Sequence, residues 1–378
     1  MDLHKKSNVK IYNIQAKCIF NKGILKLVQK NPHTTQYFCD IENIDVCSNT
    51  CSKKPGFIYK RKFRGPLHQK NILSKLNLQS NYKKDKLPET HDDIKNGFTF
   101  YNRKQLPVST VHWGQLKLFL STLNFLINYC PKEKDVNILY VGSAEGHNIP
   151  LLVEMFPNTD WYLVDPRDVF DKRLYNMKRV KMIKNAYFTD KLAMKMKKRL
   201  KKKYFLFISD IREFKGKDKD ENDIDVDMKL QYNWYKILKP EYSQLKFRIP
   251  YNKKKYDYLD GKIFFQEYAP VSSTETRLVV KKNAKNKIYS LKEYEGKCFY
   301  FNRIIRPSYY KHSYNHIDIM DHCYDCSKMF YLIDKYNLIY PYFFKKLSMK
   351  NTIELIITNF HVSNVLEKET QKVLSNIK

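Results

Sequence analysis

Between Val136 and Asp168 the chain reads VNILYVGSAEGHNIPLLVEMFPNTDWYLVDPRD, and the residues at its turning points are of the types that hold nucleotides. Gly142 and Gly146 bracket Ser143, Ala144 and Glu145 after an apolar run of strand length, and a second apolar run, WYLV, ends in Asp165. Glycines let a backbone approach a ligand, and an acid at the tip of the next strand can accept from ribose hydroxyls. The separation from Gly142 to Asp165, about 23 positions, suits that geometry. A dinucleotide would need G-x-G-x-x-G to seat its pyrophosphate on a helix N-terminus, but the order here is G-S-A-E-G. That looser loop better fits S-adenosylmethionine, which has no phosphate to cradle. A plain turn between strand and helix would use the same residues, so the loop alone does not decide.

The elements that would position these residues alternate strand and helix. WGQLKLFLSTLNFLINY (113–129) has apolar residues three and four apart, the period of a helix, and VKMIK (180–184) and YFLFIS (204–209) read as strands. Residues 189–203 form a strongly basic helix with Thr189 or Asp190 as its cap. KGKDKDENDIDVD (215–227) is too polar for a core and is expected to be a mobile surface loop. MKLQYNWYKIL then makes a helix closed by Lys239-Pro240, QLKFRI and TETRLVVKK two strands, and CFYFNRIIR a further short strand after Glu295. Residues 320–374 read as mainly helical, with Pro341 as a breaker. The expected fold is α/β: a Rossmann-like sheet flanked by helices, with an N-terminal extension. That extension, 1–95, carries two short strands around Val9 to Ile14 and Lys17 to Val28, with a turn at Asn21-Lys22-Gly23. A basic polar stretch follows over 52–86, solvated or, less often, an RNA-binding arm.

With 378 residues and 43% apolar content, the chain can bury a substantial core. Its formal net charge of +31 points to a polyanionic partner, because clustered Lys and Arg release counterions when they neutralise phosphates. Codon bias in an A+T-rich genome would also enrich Lys, Asn, Ile and Tyr. No apolar run reaches bilayer-crossing length, and MDLHKKSNVK lacks a signal-peptide core, so a soluble protein of a cytosol-like compartment is expected. The eight cysteines should then be thiols. Neither Cys39, Cys47 and Cys51 near His33 nor His322-Cys323-x-x-Cys326 has the double C-x-x-C spacing of a zinc ribbon, and no metal is expected.

Five segments in fixed order carry a family likeness: HWGQLKLFL (112–120), YVGSAEGH (140–147), FLFISDIR (205–212), QLKFRIPY (244–251) and APVSSTETRL (269–278). Together they resemble the poxvirus cap-specific 2′-O-methyltransferases that also serve as the small regulatory subunit of the viral poly(A) polymerase. The likeness runs from about Phe98 to the C-terminus, making 96–378 the expected methyltransferase domain with a helical C-terminus, and leaving the role of 1–95 open.

Methylating a ribose hydroxyl requires aligning two reactants and removing a proton from a very weak acid, work that a lysine can do if burial or a neighbouring cation lowers its pKa. By resemblance the family's Lys-Asp-Lys-Glu set falls on Lys117, Asp210, Lys246 and Glu275. It implies that Lys246 takes or orients the 2′-hydroxyl proton, that Asp210 and Lys117 set its charge, and that Glu275 holds it. For S-adenosylmethionine it implies Gly142, Ser143, Ala144 and Gly146 as the loop, with Asp165 and its neighbour Arg167 on the ribose side. Glu145 departs from the family's proline, and its carboxylate must point outward or pair with a lysine to avoid repelling the cofactor's own.

N7-methylguanine is a planar cation, held by stacking between aromatic faces with a carboxylate accepting from its N–H groups. The resemblance places Tyr251 on one stacking ring and Glu295 on the guanine-binding acid, with Phe98, Phe100 or Tyr101 as the second ring. Ser272 and Lys253 replace a tyrosine and an acid of the family. The implied partners are capped mRNA and the catalytic subunit of a poly(A) polymerase, with no membrane, in the host cytoplasm or virion. A second class of function stays open: an RNA-clamping polymerase subunit whose methyltransferase site is vestigial. A ribosomal-RNA type of 2′-O-methyltransferase is disfavoured by Tyr251 and Glu295.

Overall fold

The structure, a computed structural model, describes the strands at 10–17, 24–31 and 34–40 by their backbone, and residues 87–94, 97–99, 114–167, 170–200, 202–212, 221–270, 272–306, 308, 310, 312–314 and 323–359. Strands β1 (Lys10–Lys17), β2 (Ile24–Asn31) and β3 (Thr34–Asp40) form an antiparallel sheet in that order. The sequence led us to expect β1 and β2 but not β3.

Helix α1 (Gly114–Tyr129) opens the main unit, followed by β4 (Val136–Val141), α2 (Ile149–Met155), β5 (Thr159–Asp165), the short α3 (Lys172–Tyr175), β6 (Val180–Asn185), α4 (Asp190–Leu200), β7 (Tyr204–Ser209), α5 (Glu221–Leu238) and β8 (Tyr242–Phe247). Then come β9 (Lys255–Leu259), β10 (Lys262–Phe264), β11 (Thr276–Lys281), β12 (Asn286–Ser290), α6 (Leu291–Tyr300), α7 (Tyr324–Ile339) and α8 (Met349–Asn359). Seven strands join in the order β10-β11-β8-β7-β4-β5-β6, and β11 alone runs against the others. From β4 the chain steps outward through β5 to β6, then returns to the other side of β4 for β7 and β8. The strand order therefore reverses between β4 and β7, and the carboxyl ends at such a reversal are where sheets of this kind hold ligands.

Why these segments became strands follows from burial on both faces. All of β4 and β5 is buried, as continuous apolar runs in a parallel sheet require, whereas β6 at the edge has only exposed and half-buried positions and carries Lys181 and Lys184. Val136, Ile138 and Tyr140 face one core with α1, α2, α7 and α8, while Leu139 and Val141 face the other with α4 and α5. Each fully buried apolar side chain there contributes about 1.5–3 kcal/mol. Thr189 caps α4 through its hydroxyl, which accepts from the Leu192 N–H (3.3 Å).

Two expectations are corrected. Residues 221–227 are not a surface loop but the first turns of α5, where Glu221 and Asp223 face the positive helix end and Ile224 and Asp227 are buried; 215–220 lie outside the described residues. CFYFNRIIR is not a strand. Ser290 caps α6 by accepting from the Glu293 N–H, and a π-helical turn, Phe301–Ile305, continues it. Tyr294, Cys298 and Phe301 put their aromatic and thiol bulk on one helical face, so tertiary packing overrides their β preference.

That helical stretch fixes the approach to β11. Fully buried Arg306 donates to both oxygens of Asp325 (3.0 and 2.8 Å), to the Ala269 carbonyl (2.9 Å) and to Asn302 Oδ1 (3.1 Å), and Asn302 donates to the Ser273 carbonyl (2.7 Å). Beside this knot, burial pushes the Glu267 carboxyl up to about 7, against the pull of Lys328. The unfolded carboxyl titrates near 4.5, so the folded state holds the proton longer and this contribution to stability is complete below pH 4.5 and lost as pH rises through about 7. Glu267→Gln should remove that loss, on the order of 3 kcal/mol, flattening the pH dependence of urea unfolding between those limits.

Candidate active site

At the reversal between β4 and β7, Gly142 has φ +75°, and a Cβ there would lie 2.8 Å from the Asp210 backbone, so only glycine lets the two strand ends meet. The meeting is sealed by Asp210 N–H donating to the Val141 carbonyl (2.9 Å) and Gly142 N–H to the Val164 carbonyl (2.9 Å). Ala144 and Gly146 also take left-handed backbone angles (φ 51° and 70°), curling the loop back over the strand ends. Asp165 accepts from Ala144 N–H (2.8 Å) and Arg167 N–H (3.1 Å), with the Arg167 Nε at 3.8 Å. A carboxylate has about four acceptor positions, so lone pairs remain for ribose hydroxyls. Ser143 Oγ is buried with no hydrogen-bond partner among the described residues, as a site for a polar ligand would leave it. These groups fit S-adenosylmethionine.

Glu145 pairs with a histidine rather than a lysine. His147 Nε2 lies 2.6 Å from Glu145 Oε2, and its Nδ1 lies 3.1 Å from Asp171 Oδ2. Arg173 joins Asp171 (2.5 Å) to Asn359 at the end of α8, and Asp171 N–H donates to the Glu145 carbonyl (2.8 Å). Burial raises the Asp171 carboxyl, but the hydrogen bonds from His147 and Arg173 outweigh it and hold the group at about 2.

Beside the Gly142 contact, Lys117 from α1, Asp210 from the end of β7, Lys246 from β8 and Glu275 from the turn before β11 converge. Lys246 Nζ is 3.0 Å from Asp210 Oδ1 and 3.4 Å from Glu275 Oε2, and Lys117 Nζ is 3.0 Å from Glu275 Oε1. A fifth charged group, which the sequence reading missed, completes the cluster. Arg277 is 3% exposed and reaches Asp210 (2.7 Å) and Glu275 (3.2 Å). It pairs with Lys246 in the β8–β11 register and shares a strand face with Glu275, two residues away. That period of two was the signal in the sequence. Gln266, with its amide turned to suit its neighbours, donates to Glu275 and accepts from Arg277 (both 3.3 Å). Gln231 of α5 clamps the Lys246 backbone from behind, accepting from its N–H (3.1 Å) and donating to its carbonyl (3.0 Å).

Burial lowers the Lys117 pKa; Glu275 opposes that, and Arg277 and Lys246 add to it. Burial would raise Asp210 and Glu275, but the surrounding cations hold both carboxyls low, Glu275 well below its usual range. Such a cluster can fix an ammonium group beside a hydroxyl and stabilise charge that develops there.

An open pocket of about 880 Å³ brings Phe98, Tyr251, Ser272 and Glu295 together, with exposed Lys254, Lys255 and Lys292 around it. Phe98 lies directly on α6, since a Cβ at Gly296 would fall 2.1 Å from its ring. Tyr251 is 46% exposed, and its hydroxyl meets Thr274 Oγ1 at 3.0 Å. Burial raises the Glu295 carboxyl, with Arg248 lowering and Glu221 raising it. Phe100 and Tyr101 lie outside the described residues, as do Cys47, Cys51, His33 and His322. Cys323 and Cys326 are buried. Among the described residues, no helix is long and apolar enough to cross a membrane.

A family model described as the poly(A) polymerase regulatory subunit matches residues 84–362. A Fowlpox virus (strain NVSL) protein, named cap-specific mRNA (nucleoside-2′-O-)-methyltransferase, is 34% identical over 244 residues, spanning 58% of this chain and 75% of its own. Among solved structures, bluetongue virus VP4, described as a multifunctional RNA-capping production line, matches at a TM-score of 0.36 and 14% identity. It covers 53% of this chain and 33% of its own, a likeness that bears on neither fold nor function here.

Removing the guanidinium from the buried cluster should be costly, because Asp210 and Glu275 would each lose a cation. Arg277→Met is expected to cost about 3–5 kcal/mol in urea unfolding, with Arg277→Lys recovering part of it. A wild-type midpoint for Arg277→Met would show that the remaining lysines suffice.

Proposed function

Because the chain belongs to the poly(A) polymerase regulatory subunit family, we propose that it methylates the 2′-hydroxyl of the first transcribed nucleotide of capped mRNA, with S-adenosylmethionine as donor. The observation that carries this reading is the meeting of Lys117, Asp210, Lys246 and Glu275 beside the Gly142 loop, at the carboxyl ends of the strands where the sheet order reverses. When bound, S-adenosylmethionine supplies a methyl group already activated by its sulfonium. The protein then has to align the hydroxyl and manage one proton.

Lys246 is the residue assigned to that proton, taking it or holding the hydroxyl oriented through it. Asp210 and Glu275 fix the position of its ammonium from two sides, Lys117 braces Glu275, and Arg277 locks both carboxylates. Ser143, Ala144, Gly146, Asp165 and Arg167 hold the cofactor, and the His147 contact restrains Glu145 from turning its charge into the loop. Phe98 and Tyr251 supply stacking faces for the N7-methylated guanine and Glu295 the acceptor, while Lys254, Lys255 and Lys292 suit the cap's polyphosphate. In this reading 96–378 is the methyltransferase domain, 1–95 is an extension, and the protein works in the host cytoplasm or virion.

A second role is supported by the family and by the +31 charge: an RNA-binding regulatory subunit that pairs with the catalytic subunit of a poly(A) polymerase. A vestigial site is the less fitting alternative, since all four members of the Lys-Asp-Lys-Glu set are present and in contact.

With labelled S-adenosylmethionine and RNA bearing an N7-methylated cap, Lys246→Ala should lose about 10²–10⁴-fold or more in methyl transfer while retaining RNA affinity. Wild-type-like transfer by that variant would remove Lys246 from its role. RNA affinity of the wild type should fall steeply between low and moderate salt, and a flat response would assign the surplus of Lys and Arg to codon bias.

A further inference from the structure

Helix α5 begins at Glu221, whose carboxylate, behind the lining of the 880 Å³ pocket, engages Arg248 and the backbone of the lining residue Tyr251. Its Oε1 accepts from Arg248 Nη2, and its Oε2 accepts from the Tyr251 backbone N–H (2.6 Å). Arg248 in turn lies over the Tyr251 ring, 4.0 Å from its centroid. With the hydroxyl held by Thr274, the ring is fixed at its backbone, its tip and one face.

A cation resting on one face of an aromatic ring draws on the same electron density that would hold a second cation on the other. An uncompensated Arg248 under Tyr251 would therefore work against a positively charged base. Arg248 and Glu221 are mostly buried (side chains 14% and 24% exposed), whereas Lys254, Lys255 and Lys292 are exposed and more fully screened by solvent. Around the ring itself the balance is thus one guanidinium against two carboxylates, Glu221 and Glu295. These groups act on one another, since Arg248 lowers and Glu221 raises the Glu295 carboxyl.

We propose that Glu221 is a positioning residue that sets the charge preference of this pocket. By neutralising Arg248 and fixing Tyr251, it lets the stacking face favour a cationic, N7-methylated guanine over a neutral one. The inference rests on the reading of this pocket as the cap site.

The test is calorimetric titration of the full chain with N7-methyl-GDP and with GDP. The wild type should prefer the methylated nucleotide. Glu221→Gln keeps the shape and an acceptor for the Tyr251 N–H but removes the charge, and should lower the ratio of the two affinities about tenfold, chiefly by weakening N7-methyl-GDP, with Glu221→Asp restoring part of it. Unchanged S-adenosylmethionine binding by Glu221→Gln would show that the fold is intact. If that variant weakened both nucleotides equally, or left the ratio unchanged, Glu221 would be structural only and the inference would be overturned while the cap reading stood. A wild type that bound both nucleotides equally would overturn the cap reading and this inference with it.

Discussion

Lys117, Lys246 and Arg277 face Asp210 and Glu275 in a nearly dry space, and the rest of the structure answers to the cost of keeping those charges there. Each buried ion costs several kcal/mol of lost hydration, recovered only if its partners sit at hydrogen-bonding distance. Each carboxylate accordingly meets at least two cations: Asp210 meets Arg277 and Lys246, and Glu275 meets all three. Three positive groups against two negative ones leave the cluster short of one anion. That excess of cations acts with burial to lower the Lys117 pKa.

The geometry that meets this demand comes from four elements far apart in the chain, and their relative placement depends on the sheet. Because the strand order reverses between β4 and β7, the chain leaves the ends of those strands in opposite directions along the sheet. The Gly142 contact then ties the glycine loop to the backbone of Asp210, so loop and charged cluster share one fixed point. A second tie runs from Glu145 through His147, Asp171 and Arg173 to Asn359, linking the loop to the last described helix. The C-terminal helices are thereby part of the site's support as well as of the core.

The aromatic pocket follows the same logic at lower burial. Its charges are partly solvated, whereas those of the inner cluster are nearly dry. Helix α6 supplies both the floor under Phe98, through Gly296, and the acid Glu295, and β9 and β12 bring Lys255 and Ser290 to the rim. Helix α6 thus brings Glu295 and Gly296 together to the lining of the pocket, with Gly296 against the Phe98 ring.

From the sequence alone the parallel core was legible, because fully buried strands such as VNILYV and YFLFIS leave unbroken apolar runs, and the glycine loop and Asp165 stand at fixed offsets from them. The segments around Lys117, Asp210, Lys246 and Glu275 were legible too, by their likeness and order. What the sequence could not say was which charges end up facing each other. Arg277 read as one more polar residue of a strand, Glu221 as part of a solvated run, and CFYFNRIIR as β-prone, since each of these depends on at least one partner more than twenty residues away. Local periodicity records only whether a side chain is buried. Whether a buried charge has a counter-charge, and whether an aromatic run packs as helix or strand, is decided by neighbours that only the folded chain brings together.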